Sequence, residues 1–163
     1  KKLAVIVPII LVIILSLLYL NFHSVKNSLL ILLNIPLALV GGIVALWITN
    51  QNLSVPSSIG FIALFGIALE NGMVLVTCIN QFLKEGLSAA NAAVKGAMLR
   101  LRPVLMTAIT TTLGLLPLLL ATGTGSEVQR PLATVVVGGL VTSTVLTLLI
   151  IPALYKWFSD SNS

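Results

Sequence analysis

The chain has 163 residues, of which 58% are apolar and only 8% are charged, and its formal net charge is +5. Because a soluble domain carries roughly 25% charged residues and a disordered chain is rich in polar ones, this composition excludes both classes. One cysteine is too few for a disulfide scaffold or a cysteine-based zinc cluster, and the sparse cations are better explained by membrane topology than by nucleic-acid binding.

Five stretches of the sequence are long and apolar enough to cross a membrane. A spanning helix needs about 20 mostly apolar residues, and the five stretches run approximately over Leu3–Phe22, Ser28–Thr49, Pro56–Ile79, Pro103–Ala121 and Pro131–Tyr155. A helix pairs all its backbone groups internally, whereas a membrane barrel would show strands of alternating polarity. The sequence therefore predicts an all-α, polytopic membrane helix bundle with five transmembrane helices.

The links between these stretches differ in length. Links 21–27 and 50–55 are short, so the first three spans are predicted to run antiparallel. The link 80–102 is longer, and apolar residues recur on one face of it after Ser88, a candidate N-cap. This pattern predicts one short helix, over about 88–101, that lies at the membrane interface. The last link, 122–127, is predicted to be a flexible turn.

The distribution of cations predicts the orientation of the chain. Links 21–27 and 80–102 and the C-terminal tail together carry Lys26, Lys84, Lys95, Arg100, Arg102 and Lys156. The other side carries only Lys1, Lys2 and Arg130. Because cytoplasmic segments are enriched in Lys and Arg, the C-terminus is predicted to be cytoplasmic.

Glu70 is the only formally charged residue within the five predicted spans. It lies near the middle of the third span, where an ionised carboxylate is energetically costly. Helical spacing places Ala63, Gly66, Met73 and Thr77 on the same face, and the two small residues let another helix approach the carboxylate. We interpret Glu70 as a carrier that takes up and releases protons. The alternative is a permanently protonated acid that donates a hydrogen bond between helices.

Polar residues near Glu70 are candidates for a proton relay. Asn71 adjoins it. In the fourth span, helical spacing places the hydroxyl groups of Thr107, Thr110 and Thr111 on one face, together with Gly114. These hydroxyls can bond the acid or order water that leads to it, or they can bond their own helix backbone. The predicted proton relay therefore consists of Glu70, Asn71, Thr107 and Thr111.

Other small or polar residues are interpreted as packing features. Two ridges of small residues, which let helices approach closely, are formed by Gly41, Gly42 and Ala45 in the second span and by Thr134, Gly138 and Thr142 in the fifth. Asn34 is a further buried polar group. Cys78 lacks other soft ligands beside it, and Gly123-x-Gly125 lacks the Lys-Ser/Thr of a phosphate loop. We therefore expect no enzyme activity, no cofactor and no resident metal site.

Several ordered motifs resemble the membrane helices of resistance–nodulation–division (RND) efflux pumps. The segment Gly66–Gly72 looks like their tenth helix, and Arg100–Thr107 resembles the start of their eleventh. The ninth helix resembles Asn34–Gly42, and the last loop and twelfth helix resemble Gly123–Pro131, Val137–Thr142 and Ile151–Ala153. The whole chain is covered in order as helices eight to twelve, a C-terminal transmembrane fragment, and the heavy-metal branch of cobalt–zinc–cadmium type is the most similar.

The resemblance implies a proton-driven homotrimer in a bacterial inner membrane. Such a pump has helices one to seven and a periplasmic porter region besides this part, and it joins a periplasmic adaptor and an outer-membrane channel. The implied partners are the remainder of the same pump, the adaptor, the outer-membrane channel, membrane lipid and a metal cation as substrate. No nucleic-acid partner is implied. In the drug-exporting branch the position of Glu70 holds a Lys paired with Asp residues on helix four, and Thr107 matches a relay threonine.

The sequence departs from some metal exporters in ways that bear on the substrate. Some copper and silver pumps resemble this chain but carry Met at the positions of Val136 and Leu140 and Lys at Val104. Because soft thioethers select Cu(I), we expect zinc, cobalt, cadmium or nickel instead. The alternatives are a related exporter of drugs or lipids, a secretion-assisting member of the superfamily, and a membrane scaffold that transports nothing.

Overall fold

The described residues, 2–23 and 25–160 of the computed structural model, form five α-helices. The helices are α1 (Lys2–Phe22), α2 (Val25–Ile48), α3 (Val55–Lys84), α4 (Ala89–Leu119) and α5 (Ser126–Asp160). All five are long and apolar enough to cross a membrane. The prediction of an all-α membrane bundle is confirmed. Lys1, one of the cations used to predict the orientation, lies outside the described residues.

Local sequence signals explain where the helices begin. Ser54 precedes α3 and forms a capping box with Ser57: the Ser57 N–H donates to Ser54 Oγ, and the Ser54 N–H donates to Ser57 Oγ over 2.7 Å. The Ser88 hydroxyl accepts from the Asn91 N–H at the start of α4, as the sequence predicts. Positive φ angles at Gly123 and Gly125 form the turn before α5, because glycine adopts them without steric cost.

The predicted interfacial helix is helical but not separate from the fourth span. Residues 89–101 form the first turns of α4, which continues through Pro103 to Leu119. Within the membrane a break would leave carbonyl groups unpaired, so one proline inside a helix is tolerated better than an interruption. The first turns also pack closely on α3, since a Cβ added at Gly96 would lie 2.7 Å from Ile79 Cγ1. The structure thus has one continuous helix where the sequence predicts an interfacial helix over about 88–101 and a separate fourth span.

The core of the bundle lies between α2, α3 and α5. Helix α5 packs against α2, α3 and α4, whereas α1 lies at the edge and packs on α2. The two predicted ridges of small residues meet each other: a Cβ added at Gly138 would overlap Ala45, and one added at Gly41 would overlap Thr142. Their interpretation as packing seams is confirmed, because any larger side chain there would force α2 and α5 apart.

The two ends of the bundle differ in charge. One end carries the α1–α2 link, the α3–α4 link and the C-terminal end of α5, and we call it the basic end because Lys26, Lys84 and Lys156 lie there. The other end carries the α2–α3 and α4–α5 links. Glu85 is at the basic end, and Glu127 and Arg130 are at the other.

Candidate functional site

Glu70 lies at the midpoint of the 30-residue helix α3. At 1.5 Å per residue, about 22 Å of helix extends from it in each direction. The carboxylate is thus far from both helix ends, as the sequence predicts. An acid at this depth must be protonated, or it must meet water or a partner.

The side chain of Glu70 points away from the core of the five helices. It is exposed, as are Ala63, Gly66 and Thr77 on the same side of α3, and we call this surface the Glu70 face. A Cβ added at Gly66 would meet no atom within 4 Å. Glu70 makes no hydrogen bond or ion pair with any described residue. The chain therefore presents an acid at mid-membrane depth on a face that its own described helices do not cover.

Asn71 points in a different direction from Glu70. Successive residues of an α-helix are about 100° apart, and Asn71 is buried, with 9% of its surface exposed. Its Nδ2 is buried and has no hydrogen-bond partner among the described residues. Asn71 therefore faces the interior of the bundle, and its predicted role beside Glu70 in the relay remains a prediction.

The predicted relay threonines lie on α4 and do not contact Glu70 through hydrogen bonds. Thr107 is exposed, and its Oγ1 donates to the carbonyl oxygen of Pro103 over 3.0 Å. This is the backbone bond that the alternative interpretation of membrane threonines expects. Thr111 is half-buried, and a Cβ added at Gly114 would meet no atom within 4 Å. The hydroxyl-bearing face of α4 is thus largely uncovered, like the Glu70 face.

A buried polar junction joins α2, α3 and α5 close to Glu70, on the buried side of α3. Asn34 of α2 donates from Nδ2 to the carbonyl oxygen of Ala68 in α3 over 3.0 Å and to Thr147 Oγ1 in α5 over 2.8 Å. Asn34 is 2% exposed and Thr147 is fully buried. We call these contacts the Asn34 junction. The junction links three helices, and its acceptor on α3 is the backbone carbonyl of Ala68, two residues before Glu70. It therefore fixes the α3 backbone next to the acid.

The sequence indicated only part of this junction. The sequence indicates that Asn34 is a buried polar residue, but it gives no signal for Thr147, because one threonine among many in an apolar helix does not reveal its partner. In the sequence, Arg100 contributes only to the distribution of cations that predicts the orientation of the chain. It is half-buried, and its Nε is buried with no partner among the described residues. A buried donor of this kind requires an acceptor from elsewhere.

Replacing Asn34 with leucine is expected to destabilise the membrane bundle. Asn34→Leu removes both donated hydrogen bonds, and hydrogen bonds between membrane helices are worth about 1–2 kcal/mol at most. The full-length protein in detergent should therefore unfold at a lower temperature. Asn52→Leu, at an exposed position between α2 and α3, is the control and should leave the melting temperature unchanged. Equal melting temperatures for the two variants would contradict the assigned role of the junction.

The described residues hold no group of three or more His, Cys, Asp and Glu side chains that could bind a metal ion. Cys78 is buried, and Met73 Sδ accepts a hydrogen bond from Asn21 Nδ2 over 3.5 Å. Both side chains thus sit within helix packing.

Comparison with known proteins identifies the family. The model of the AcrB/AcrD/AcrF family matches residues 1–159. This chain belongs to that family. Among AcrB/AcrD/AcrF relatives, the cobalt-zinc-cadmium resistance protein CzcA of Cupriavidus metallidurans is 50% identical over 155 residues, which are 95% of this chain and 15% of CzcA. The nickel and cobalt resistance protein CnrA of the same organism is 49% identical over 154 residues, 94% of this chain and 14% of CnrA.

A solved structure supports the same assignment. The crystal structure of a heavy metal efflux pump, crystal form II, superposes with a TM-score of 0.87 at 49% identity, covering 98% of this chain and 16% of the pump. The resemblance to the heavy-metal branch of RND pumps is therefore confirmed. The chain spans about 15% of the length of the curated relatives that it matches.

Proposed function

We propose that this chain forms part of the membrane domain of a proton-driven antiporter that exports divalent heavy-metal cations, with Glu70 as the proton carrier. The observation that carries the proposal is the position of Glu70: an acid at the midpoint of a membrane helix, on a face that the described helices leave open. The names of CzcA and CnrA support a metal substrate. The chain itself contributes no enzymatic step.

The proposed mechanism couples the charge of Glu70 to helix packing. Glu70 takes up a proton from the periplasmic side and releases it at the basic end, which the positive-inside rule places in the cytoplasm. When Glu70 loses the proton it becomes negatively charged, and an ionised carboxylate at this depth is stable only beside a polar or cationic partner, which the rest of the pump would supply. The resulting change in packing reaches the porter region, which expels the metal ion.

The membrane potential can supply the energy for this cycle. A potential of 100 mV contributes about 2.3 kcal/mol for each elementary charge moved across the membrane. One proton therefore corresponds to roughly a fifty-fold concentration ratio for a substrate whose own charge does not cross the potential, since about 1.4 kcal/mol corresponds to a factor of ten. The proposed assembly is a homotrimer in a bacterial inner membrane, joined to a periplasmic adaptor and an outer-membrane channel.

The proposed substrates are zinc, cobalt, cadmium and nickel ions rather than copper and silver. Val104, Val136 and Leu140 replace the Lys and Met residues of some copper and silver pumps, and all three are buried here. These three positions therefore carry no thioether sulfur that could bind a soft monovalent ion such as Cu(I).

A metal-tolerance assay tests this function. The full-length pump that contains this chain is expected to raise several-fold the tolerated concentration of at least one divalent metal in a host that lacks its own metal exporters. Tolerance to copper and silver should remain that of the empty vector. A pump that protects only against copper and silver would overturn the proposed substrates, and a pump that exports no metal would overturn the function.

A further inference from the structure

A polar cavity opens at the basic end of the bundle between α1, α2 and α3. Its volume is about 630 Å³, and its walls include the amide side chains of Asn21, Asn27, Asn80 and Gln81 together with the hydroxyl of Thr77. A cavity of this size with several polar side chains in its walls has room for a cluster of waters, because each water needs about 30 Å³ and two to four polar partners.

The amide side chains of the cavity are held in place by hydrogen bonds. Asn80 Oδ1 accepts from Tyr155 Oη over 2.7 Å and from Asn27 Nδ2 over 3.4 Å. Residues of α2 and α5 thus fix the position of Asn80 on α3. On the other wall, Asn21 of α1 donates to Met73 Sδ over 3.5 Å. This contact brings the polar end of α1 to within one helical turn of Glu70.

Thr77 is the cavity-lining residue of α3 that lies nearest to Glu70 in sequence. It lies two turns after the acid on the same face of α3, which is about 10 Å along the helix axis. A chain of three or four hydrogen-bonded waters, about 2.8 Å apart, spans that distance. The Thr77 hydroxyl donates to the carbonyl oxygen of Met73 over 2.7 Å, so its proton is occupied and its oxygen is oriented to accept from water.

Further polar residues lie between Thr77 and the basic end of α3. Gln81 and Lys84 follow Thr77 on the exposed side of α3 and line the cavity near the end of the helix. The titratable groups that face this space are His23 and Lys84 at its mouth and Tyr155 behind Asn80. None of the described residues that line the cavity is acidic, so a proton released there has no carboxylate to retain it before it reaches bulk water.

We propose that this cavity is the inner water vestibule through which Glu70 exchanges protons with the solution at the basic end. Thr77 is the positioning residue that orients the water nearest to the acid. The proton leaves the Glu70 carboxyl group, passes along hydrogen-bonded water and joins bulk water, and the carboxylate remains. The inference rests on the proposed function of Glu70, but it assigns a path and residues that the carrier role alone does not.

Cysteine accessibility tests the vestibule directly. In the full-length pump carrying Cys78→Ala and no other cysteine, Thr77→Cys is treated with a small, charged, membrane-impermeant thiol reagent. Only a thiol in water ionises and reacts, so we expect rapid modification from the basic end. Leu33→Cys is the control: it is an exposed apolar position at similar depth on α2, and its modification should be at least ten-fold slower. Modification of Thr77→Cys that is no faster than the control, or that occurs only from the opposite end, overturns the proposal.

A transport measurement tests the positioning role of Thr77. In proteoliposomes, Thr77→Val should slow proton flux coupled to metal transport several-fold, and Thr77→Ser should restore it, with equal melting temperatures for all three proteins. Wild-type flux in Thr77→Val overturns the role of Thr77. The failure of the vestibule and the failure of the carrier can be told apart. If Thr77→Cys is modified from the basic end but the Glu70→Gln pump stays fully active, the proposed function of Glu70 is refuted while the water-filled cavity remains supported.

Discussion

Glu70→Gln in the full-length pump is expected to abolish proton-driven metal export. Glutamine keeps the size and polarity of the side chain but cannot bind and release a proton, so the change of charge that the proposed cycle requires is lost. Metal tolerance should fall to that of a strain without the pump, and proton flux into proteoliposomes should no longer respond to metal. The trimer should remain intact, because Glu70 makes no hydrogen bond or ion pair with the described residues of its own chain.

A second carboxylate provides the matched control. Glu85 lies in the link after α3 and is exposed at the basic end, where its charge is solvated and its loss should have little effect. Glu85→Gln should therefore retain metal tolerance. If Glu70→Gln also retained tolerance and made the bundle more stable, Glu70 would have no role as a carrier, and the chain would fit a scaffold that only bears an acid at mid-membrane depth.

The second large effect is expected at the contact between α3 and α5. Gly139 of α5 faces Leu64 of α3, and a Cβ added at Gly139 would overlap the Leu64 side chain. Leu64 is fully buried, so it has no open space into which to move. Gly139→Ala should therefore lower the free energy of unfolding by about 1–3 kcal/mol, the usual cost of overpacking a core. Thermal unfolding of the full-length protein in detergent measures it.

A double variant separates overpacking from other causes. Leu64→Ala alone leaves a cavity and destabilises the protein, but it also removes the atoms that an alanine at Gly139 would meet. The pair Gly139→Ala and Leu64→Ala should therefore lose less stability than the sum of the two single changes. Strict additivity would show that the close approach at Gly139 is not the source of the effect.

Much of the helical architecture could be predicted from the sequence. Runs of about 20 apolar residues demand helices in a membrane, because a helix alone pairs its backbone groups within one segment. The start of α4 was predictable from Ser88, whose hydroxyl suits an N-cap. Gly41 and Gly138 marked faces of α2 and α5 where another helix could approach closely, since small residues mark close helix contacts in membranes, but only the structure shows that these two faces meet each other.

The boundary between the interfacial segment and the fourth span was not predictable in the same way. Charges at Arg100 and Arg102 and a proline at 103 are typical of a helix end at the membrane surface. In the structure α4 runs through all three. Packing of its first turns on α3 at Gly96 and Ile79 supports a continuous helix, and this contact is long-range information that a local pattern does not carry.

The sequence alone determined that this protein has five apolar helices and one acid at mid-membrane depth, because hydrophobic length and charge are local properties of a chain. Only the tertiary structure decided which way the polar groups point. Glu70 and Asn71 are neighbours in sequence, yet α3 is buried on one side by α2 and α5 and open on the other, so the acid is exposed and the amide enclosed. The pairing of Asn34 with Thr147 and the cavity beside Thr77 likewise arise from helices far apart in the chain, whose approach is set by packing rather than by any local pattern.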